Sequence, residues 1–405
     1  MLDAGITPMA TKYRWGRCVA PKTLESCAEY RRQWYPGPAA RSVGRFASWT
    51  PPQIPATLAG MFRIRAIALV AGLAIAGCGP AASSSGAPEP ITERSATAAP
   101  PASTGAIDFD IKEFDVPAGS HPHDVAPATD GGVWYTGQRV GTLGHLDPST
   151  GTIREIPLGA GSAPHGVIVA PDGAAWITDG GLNAIVRVDA ETNEVTTFHL
   201  PADRPDANLN TAAFDGDGIL WFTGQAGIYG RVDPATGKVD VFDDPDGRGP
   251  YGMAATPGGD VWYASLAGSH IGLIDSITAG VSIVEPPTSN QGARRIWSDS
   301  EGRLWVAEWN AGQVGLYDPD TRGWREWKLP GDGPQAYAVY VDDRDIVWLT
   351  DFTANAIVRF DPATERFDPI ELPSPDAAVR QLLGRPGELW GAESAVDKLV
   401  LVTER

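Results

Sequence analysis

Two short stretches, "HPHD" around His123 and "APHG" around His165, each place an imidazole eleven residues before a tryptophan. Histidine moves protons near neutral pH, so two at matching positions are candidates for acid–base work. The same offset recurs along the chain and picks out Asn210, Tyr251, Arg294, Tyr337 and, with one residue of slippage, Arg380. Three residues after each tryptophan a second series reads Gly137, Asp179, Gly224, Ser265, Glu308, Asp351 and Glu393. The first series is aromatic, basic or amide throughout. The second is small or acidic, and its carboxylates carry the hard oxygen donors that a divalent cation takes. Positions that vary inside a repeat that otherwise holds are those expected to face a ligand. The competing reading is that these side chains only satisfy the loops around them.

The repeat that positions them is regular. Tryptophan anchors fall at 134, 176, 221, 262, 305, 348 and 390, and each sits in an apolar run after a turn, as in "APDGAAWITD", "DSEGRLWVAE" and "DDRDIVWLTD". Two such runs joined by a tight turn make a hairpin. Stretches such as "AIVRVDAETN" and "QVGLYDPDTRG" add a third strand, an Asp-initiated turn and a fourth. Four strands per unit of about 42 residues predict the blade of a β-propeller, with each tryptophan filling the wedge between blades. The last copy stops after its third strand at "KLVLVTER", whereas "IKEFDVPAG" from Ile111 looks like a fourth. The expected fold is therefore all-β, a seven-bladed propeller over 107–405, its last blade closed by an N-terminal strand. His145, His199 and His270 fall in outer strands or their connections and read as structural. Asp130, Asp172 and Asp217 read as turn residues.

The chain has two chemically distinct parts. Residues 1–106 carry eleven Lys/Arg against five Asp/Glu, and residues 107–405 carry 21 against 45. So acidic a surface repels nucleic acid, and no nucleic-acid partner is expected. The three cysteines end at Cys78, which excludes a disulfide scaffold. Around Cys78 the stretch "MFRIRAIALVAGLAIAGCGPAASSSGAPEP" has a positive start, an apolar run too short to span a bilayer, and small residues before the cysteine. This pattern resembles a bacterial lipoprotein signal over 61–78, with Cys78 lipidated and an Ala/Ser/Pro-rich linker over 79–106. The expected location is the cell envelope, the membrane being reached by the lipid anchor only. Residues 1–60 have no strand or helix periodicity and read as a non-native or disordered extension.

The motifs "APHGVIVAPDGAAWITDGGLNAIVRVD", "GPYGMAATPGGDVWYAS" and "LWFTGQAGIYGRVD" resemble the streptogramin lyase (virginiamycin B lyase) family, whose repeat reads P-x-G-I, D-G-x-x-W-F-T-E and N-K-I-G-R-I. The resemblance covers about three hundred residues. It implies eliminative opening of a cyclic ester at a propeller mouth that holds Mg²⁺ or another divalent cation. By that resemblance His165 is the base, His123 an acid or metal partner, and Asp179, Glu308, Asp351 and Glu393 the carboxylates for the metal. In the family the two histidines stand on the last blades of the chain. Here they stand on the first two, and the matching late positions are Tyr337 and Arg380.

Two other readings stand beside the lyase. One is a non-catalytic propeller that binds a peptide or glycan through Asn210, Tyr251, Arg294, Tyr337 and Arg380. The other is a gluconolactonase-like hydrolase, against which seven rather than six tryptophan anchors count. In each case the partner is a small-molecule, peptide or glycan ligand in the mouth, and the chain is expected to be a monomer.

Overall fold

The computed structural model describes residues 107–405; the expected signal, lipidated Cys78, linker and N-terminal extension lie outside the described residues. Among the described residues twenty-eight strands form seven four-stranded antiparallel sheets, six of which take four consecutive strands in order. The seven inner strands are Pro122–Pro127, Pro164–Val169, Leu209–Phe214, Pro250–Ala255, Ala293–Ser298, Ala336–Val341 and Val379–Arg385, and each lies beside the inner strands of its two neighbours. The ring is thereby closed around one axis. Among the described residues, no helix is long and apolar enough to cross a membrane.

The seventh sheet joins the two ends of the described chain. Phe109–Asp115 pairs antiparallel with Lys398–Glu404, from Phe109 opposite Glu404 to Asp115 opposite Lys398. A salt bridge of 2.6 Å from Lys398 to Glu113 holds the same seam. The expected closing strand is thus present.

Each anchor tryptophan packs on the next blade. Trp176 clusters with Leu220 and Phe222, Trp305 with Val347 and Leu349, and Trp390 crosses the seam onto Val133 and Tyr135. Burying so large a ring contributes on the order of 2–3 kcal/mol, so seven of them make the inter-blade wedges the core. The hairpin turns follow their residues: Gly173 closes the Pro-Asp-Gly turn at φ 84°, and Asp345 takes the same left-handed place at φ 58°. As expected, Asp130 and Asp172 each accept a backbone N–H two residues on.

Candidate functional site at the propeller axis

Every inner strand carries a register shift near its start, and the residue singled out by the tryptophan offset sits in it. Pro164 pairs with Asp179 and Gly166 with Thr178, which leaves His165 as the extra residue. The same shift leaves Arg294 between Ala293 and Arg295, and spans His123 between Pro122 and Val125. In the last blade Val379 pairs with Glu393, so Arg380 holds the place that His123 holds after Pro122. A bulge turns its extra residue out of the ladder. Here it turns seven side chains toward the axis, where they meet across neighbouring blades and, for Tyr251 with Tyr337, past the blade between them.

The histidine side of this ring is fixed in orientation. The rings of His123 and His165 lie 3.7 Å apart between centroids, and both residues are buried. His165 Nδ1 is 3.1 Å from the Asn210 carbonyl oxygen, so it carries the hydrogen, and Nε2 accepts from the Asn210 amide nitrogen at 3.2 Å. His123 Nδ1 donates to Asp124 at 2.8 Å. Among the described residues its hydrogen-bond partner is at Nδ1 alone, and none is at Nε2. Burial, followed by the charges of Arg380 and Arg295, holds the His123 imidazole well below its ordinary pKa. Burial and the neighbouring His123 do the same to His165. Both rings are neutral at physiological pH.

The other side is built from phenols and guanidiniums. Tyr251 and Tyr337 share a hydrogen bond of 2.7 Å between their hydroxyls. Arg294 lies 3.6 Å above the Tyr337 ring and donates to the Tyr251 hydroxyl at 3.0 Å, while Arg380 reaches the Tyr337 hydroxyl at 3.4 Å. One layer below, Arg295 donates to Asp124 at 2.7 Å and to Thr211 at 2.9 Å, tying blades five, one and three together. Burial alone raises a phenol, and Tyr251 is raised. For Tyr337 burial is outweighed by Arg294, Arg380 and Arg295, which bring it down to about 7.

The second series does not converge. Asp179 accepts from the backbone of Ala163 and Leu182, both at 2.9 Å, and from the Ser162 hydroxyl. Asp351 accepts from the backbone of Gln335, Thr353 and Ala354. Both are loop caps. Glu308 meets Gln313, and both oxygens of buried Glu393 lack a partner; burial raises each to about 8. Gly137 and Gly224 bring no side chain, and Ser265 caps its own turn through Gly268. Asp179, Glu308 and Asp351 bond within their own blades and Glu393 bonds to nothing among the described residues, so the four carboxylates do not form the metal set expected of them.

A sequence model of the virginiamycin B lyase family matches residues 103–323, more than half of the chain. The chain belongs to that family. Among solved structures, a streptogramin B lyase is 23% identical, with 73% of this chain and 98% of that one covered at a TM-score of 0.68. The virginiamycin B lyase of Staphylococcus aureus is 20% identical over 73% and 99%, also at 0.68. A third, YCF48 bound to D1 peptide, is 15% identical over 74% and 98% at 0.59. At these identities the structures show a shared fold. Among curated proteins none matches the sequence.

The resemblance to the virginiamycin B lyase family leads one to expect Mg²⁺, and the residues at the axis do not suit it. Among the described residues the single group able to offer three ligand atoms together is His123, Asp124 and His165. Two imidazoles are poor partners for a cation that selects oxygen. The one carboxylate is already held by Arg295 and His123. Three guanidiniums around it repel a further positive charge.

Sequence reasoning overlooked the layer that supports the ring. Asp124, Arg295, Thr211 and Gln381 follow the ring positions directly, and the adjacent "RR" at Arg294–Arg295 was its one visible signal. It also passed over the threonine two residues after several tryptophans. Thr136 donates to the His165 carbonyl at 2.8 Å, while Thr178 and Thr223 donate to those of Asn210 and Tyr251, so each holds the next blade's bulge in place. The three histidines read as structural follow expectation: His145 pairs with Asp130, His199 is exposed, and His270 is buried 3.5 Å from Asp246.

Proposed function

We propose that this propeller is an exported, lipid-anchored carbon–oxygen lyase of the streptogramin lyase type, opening a cyclic ester or a related substrate at its axial ring. The observation that carries the reading is the close histidine pair, its rings 3.7 Å apart and inclined by 40°, with its tautomers fixed and two guanidiniums nearby. In this reading the base is His123 rather than His165, because Asp124 orients it and its Nε2 is free, whereas Asn210 occupies the Nε2 of His165. His123 Nε2 takes the proton next to the carbonyl. The electron pair left behind forms a carbon–carbon double bond as the ester C–O bond breaks, and the acyl part leaves as a carboxylate. Arg294 and Arg380 hold the negative charge that develops, a task for which preorganised cations are suited. No step runs through a metal ion.

Turnover of a streptogramin B-type cyclic depsipeptide, followed by mass spectrometry, tests the reading. Elimination leaves the product mass equal to that of the substrate, and hydrolysis adds one water. His123→Gln is expected to lower kcat by 10²–10⁴-fold with the fold unchanged. Absence of turnover in the wild type, with ligand binding retained, selects the second reading, a binding propeller. That reading is favoured by burial: His123 is only 2% exposed and His165 8%. The anchor is tested separately. Cys78→Ser is expected to move the protein from the membrane to the soluble fraction, since one acylated cysteine is the attachment proposed.

A further inference from the structure

We infer that the axial mouth is a binding site for a carboxylate carried on an aromatic or apolar body, in the place where a cation was expected. Arg294, Arg295 and Arg380 converge there with a single carboxylate, Asp124, and Arg295 already pairs with it. Arg294 and Arg380 have only phenolic oxygens as hydrogen-bond partners among the described residues. The Nε hydrogens of both are buried without a partner. Buried donors are rarely left so, and a guanidinium fork matches the two oxygens of a carboxylate. The charge is local: the described chain has 45 acidic residues against 21 basic ones, yet the axis is positive.

The wall next to the arginines is aromatic. Half-buried Trp309 and Phe352 meet edge to face at 5.4 Å, Phe352 stacks on Tyr337 at 4.6 Å, and Arg294 lies 4.9 Å from the Trp309 ring. A flat apolar group against this wall places its acid on the arginines. Such an acid is what the elimination proposed above releases. The inference rests on that reading only for equating the anion with the leaving group, since binding is measured without turnover.

Calorimetric titration of the full chain tests it. Phenylacetate is expected to bind saturably, and at least tenfold more tightly than phenylacetamide, which has the body without the charge, or inorganic phosphate, which has charge without the body. A chelator should leave this binding unchanged. Arg380→Gln should weaken it at least tenfold, and Arg294→Gln likewise, with near-ultraviolet circular dichroism confirming the fold; Arg380→Lys, which keeps the charge, should recover part of the loss. The inference is overturned if phenylacetate fails to bind, if phenylacetamide or phosphate binds as well, or if Mg²⁺ or Zn²⁺ binds and His123→Gln abolishes it. Phenylacetate binding without any lyase turnover keeps this inference and removes only the catalytic reading.

Discussion

The axial ring and the strand-end ring occupy the same seven hairpins, a single residue pair apart, and meet opposite fates. Pro164 stands opposite Asp179, and the next residue, His165, faces the axis while Asp179 caps a loop. A bulge separates them. Side chains released by it converge with partners on other blades, whereas Asp179, Glu308 and Asp351, still in the ladder, find partners on their own. In a closed repeat, then, the register, more than the residue type, decides which polar group becomes part of a site.

The largest effect is expected from severing the support beneath the axial ring. Arg295→Met removes the cation paired with the buried Asp124 carboxylate, leaving it only the neutral His123 ring as a side-chain donor, and is expected to cost about 3–5 kcal/mol in urea unfolding. Adding Asp124→Leu should recover part of that loss. A single substitution that costs under 1 kcal/mol would show that the ring needs no such tie. At the strand ends the expectation is smaller and purely local. Asp351→Ala removes the acceptor of three backbone N–H groups and should cost about 2 kcal/mol, without altering ligand binding at the axis.

Glu393 sharpens the contrast through pH. Its folded pKa is raised from 4.5 to about 8, so across that interval the unfolded chain binds fewer protons and stability falls as pH rises. Glu393→Gln should therefore stabilise the protein at pH 8, by about 1–3 kcal/mol, and change little at pH 4.5; melting curves at the two values decide it. The smallest change in stability belongs to Arg380→Gln, expected within about 0.5 kcal/mol. Its effect is electrostatic instead. Ultraviolet absorbance should show one tyrosine of the wild type ionising near pH 7, lost in Tyr337→Phe and moved to higher pH in Arg380→Gln, since removing a cation disfavours the phenolate.

The fold was legible because its signals are periodic. Seven tryptophans at nearly constant spacing fix the blades, and the unpaired "KLVLVTER" against "IKEFDVPAG" fixes the closure. The axial ring was legible for a related reason: a position that changes from His to Tyr to Arg inside a constant frame is visible by its variation. Its correct reading at Arg380 needed the one-residue slip that the pairing of Val379 with Glu393 explains. The carboxylates were misjudged as a set because a strand-end acid looks the same whether it faces a ligand or a loop N–H. Asp124 and Arg295 went unseen because strict alternation points consecutive residues to opposite faces, and the bulge suspends that rule.

Closure by Phe109–Asp115 also sets the timing of folding. This strand is made first among those described, and its partner, Lys398–Glu404, is made last, almost three hundred residues later. At about 5–20 residues per second of synthesis, the interval is roughly 15–60 s. Throughout it, the growing row of blades has two open edges, each able to recruit a strand from another chain. The ring is therefore exposed to strand exchange for as long as Phe109–Asp115 waits for its partner, and the interval ends only when Lys398–Glu404 is available to pair.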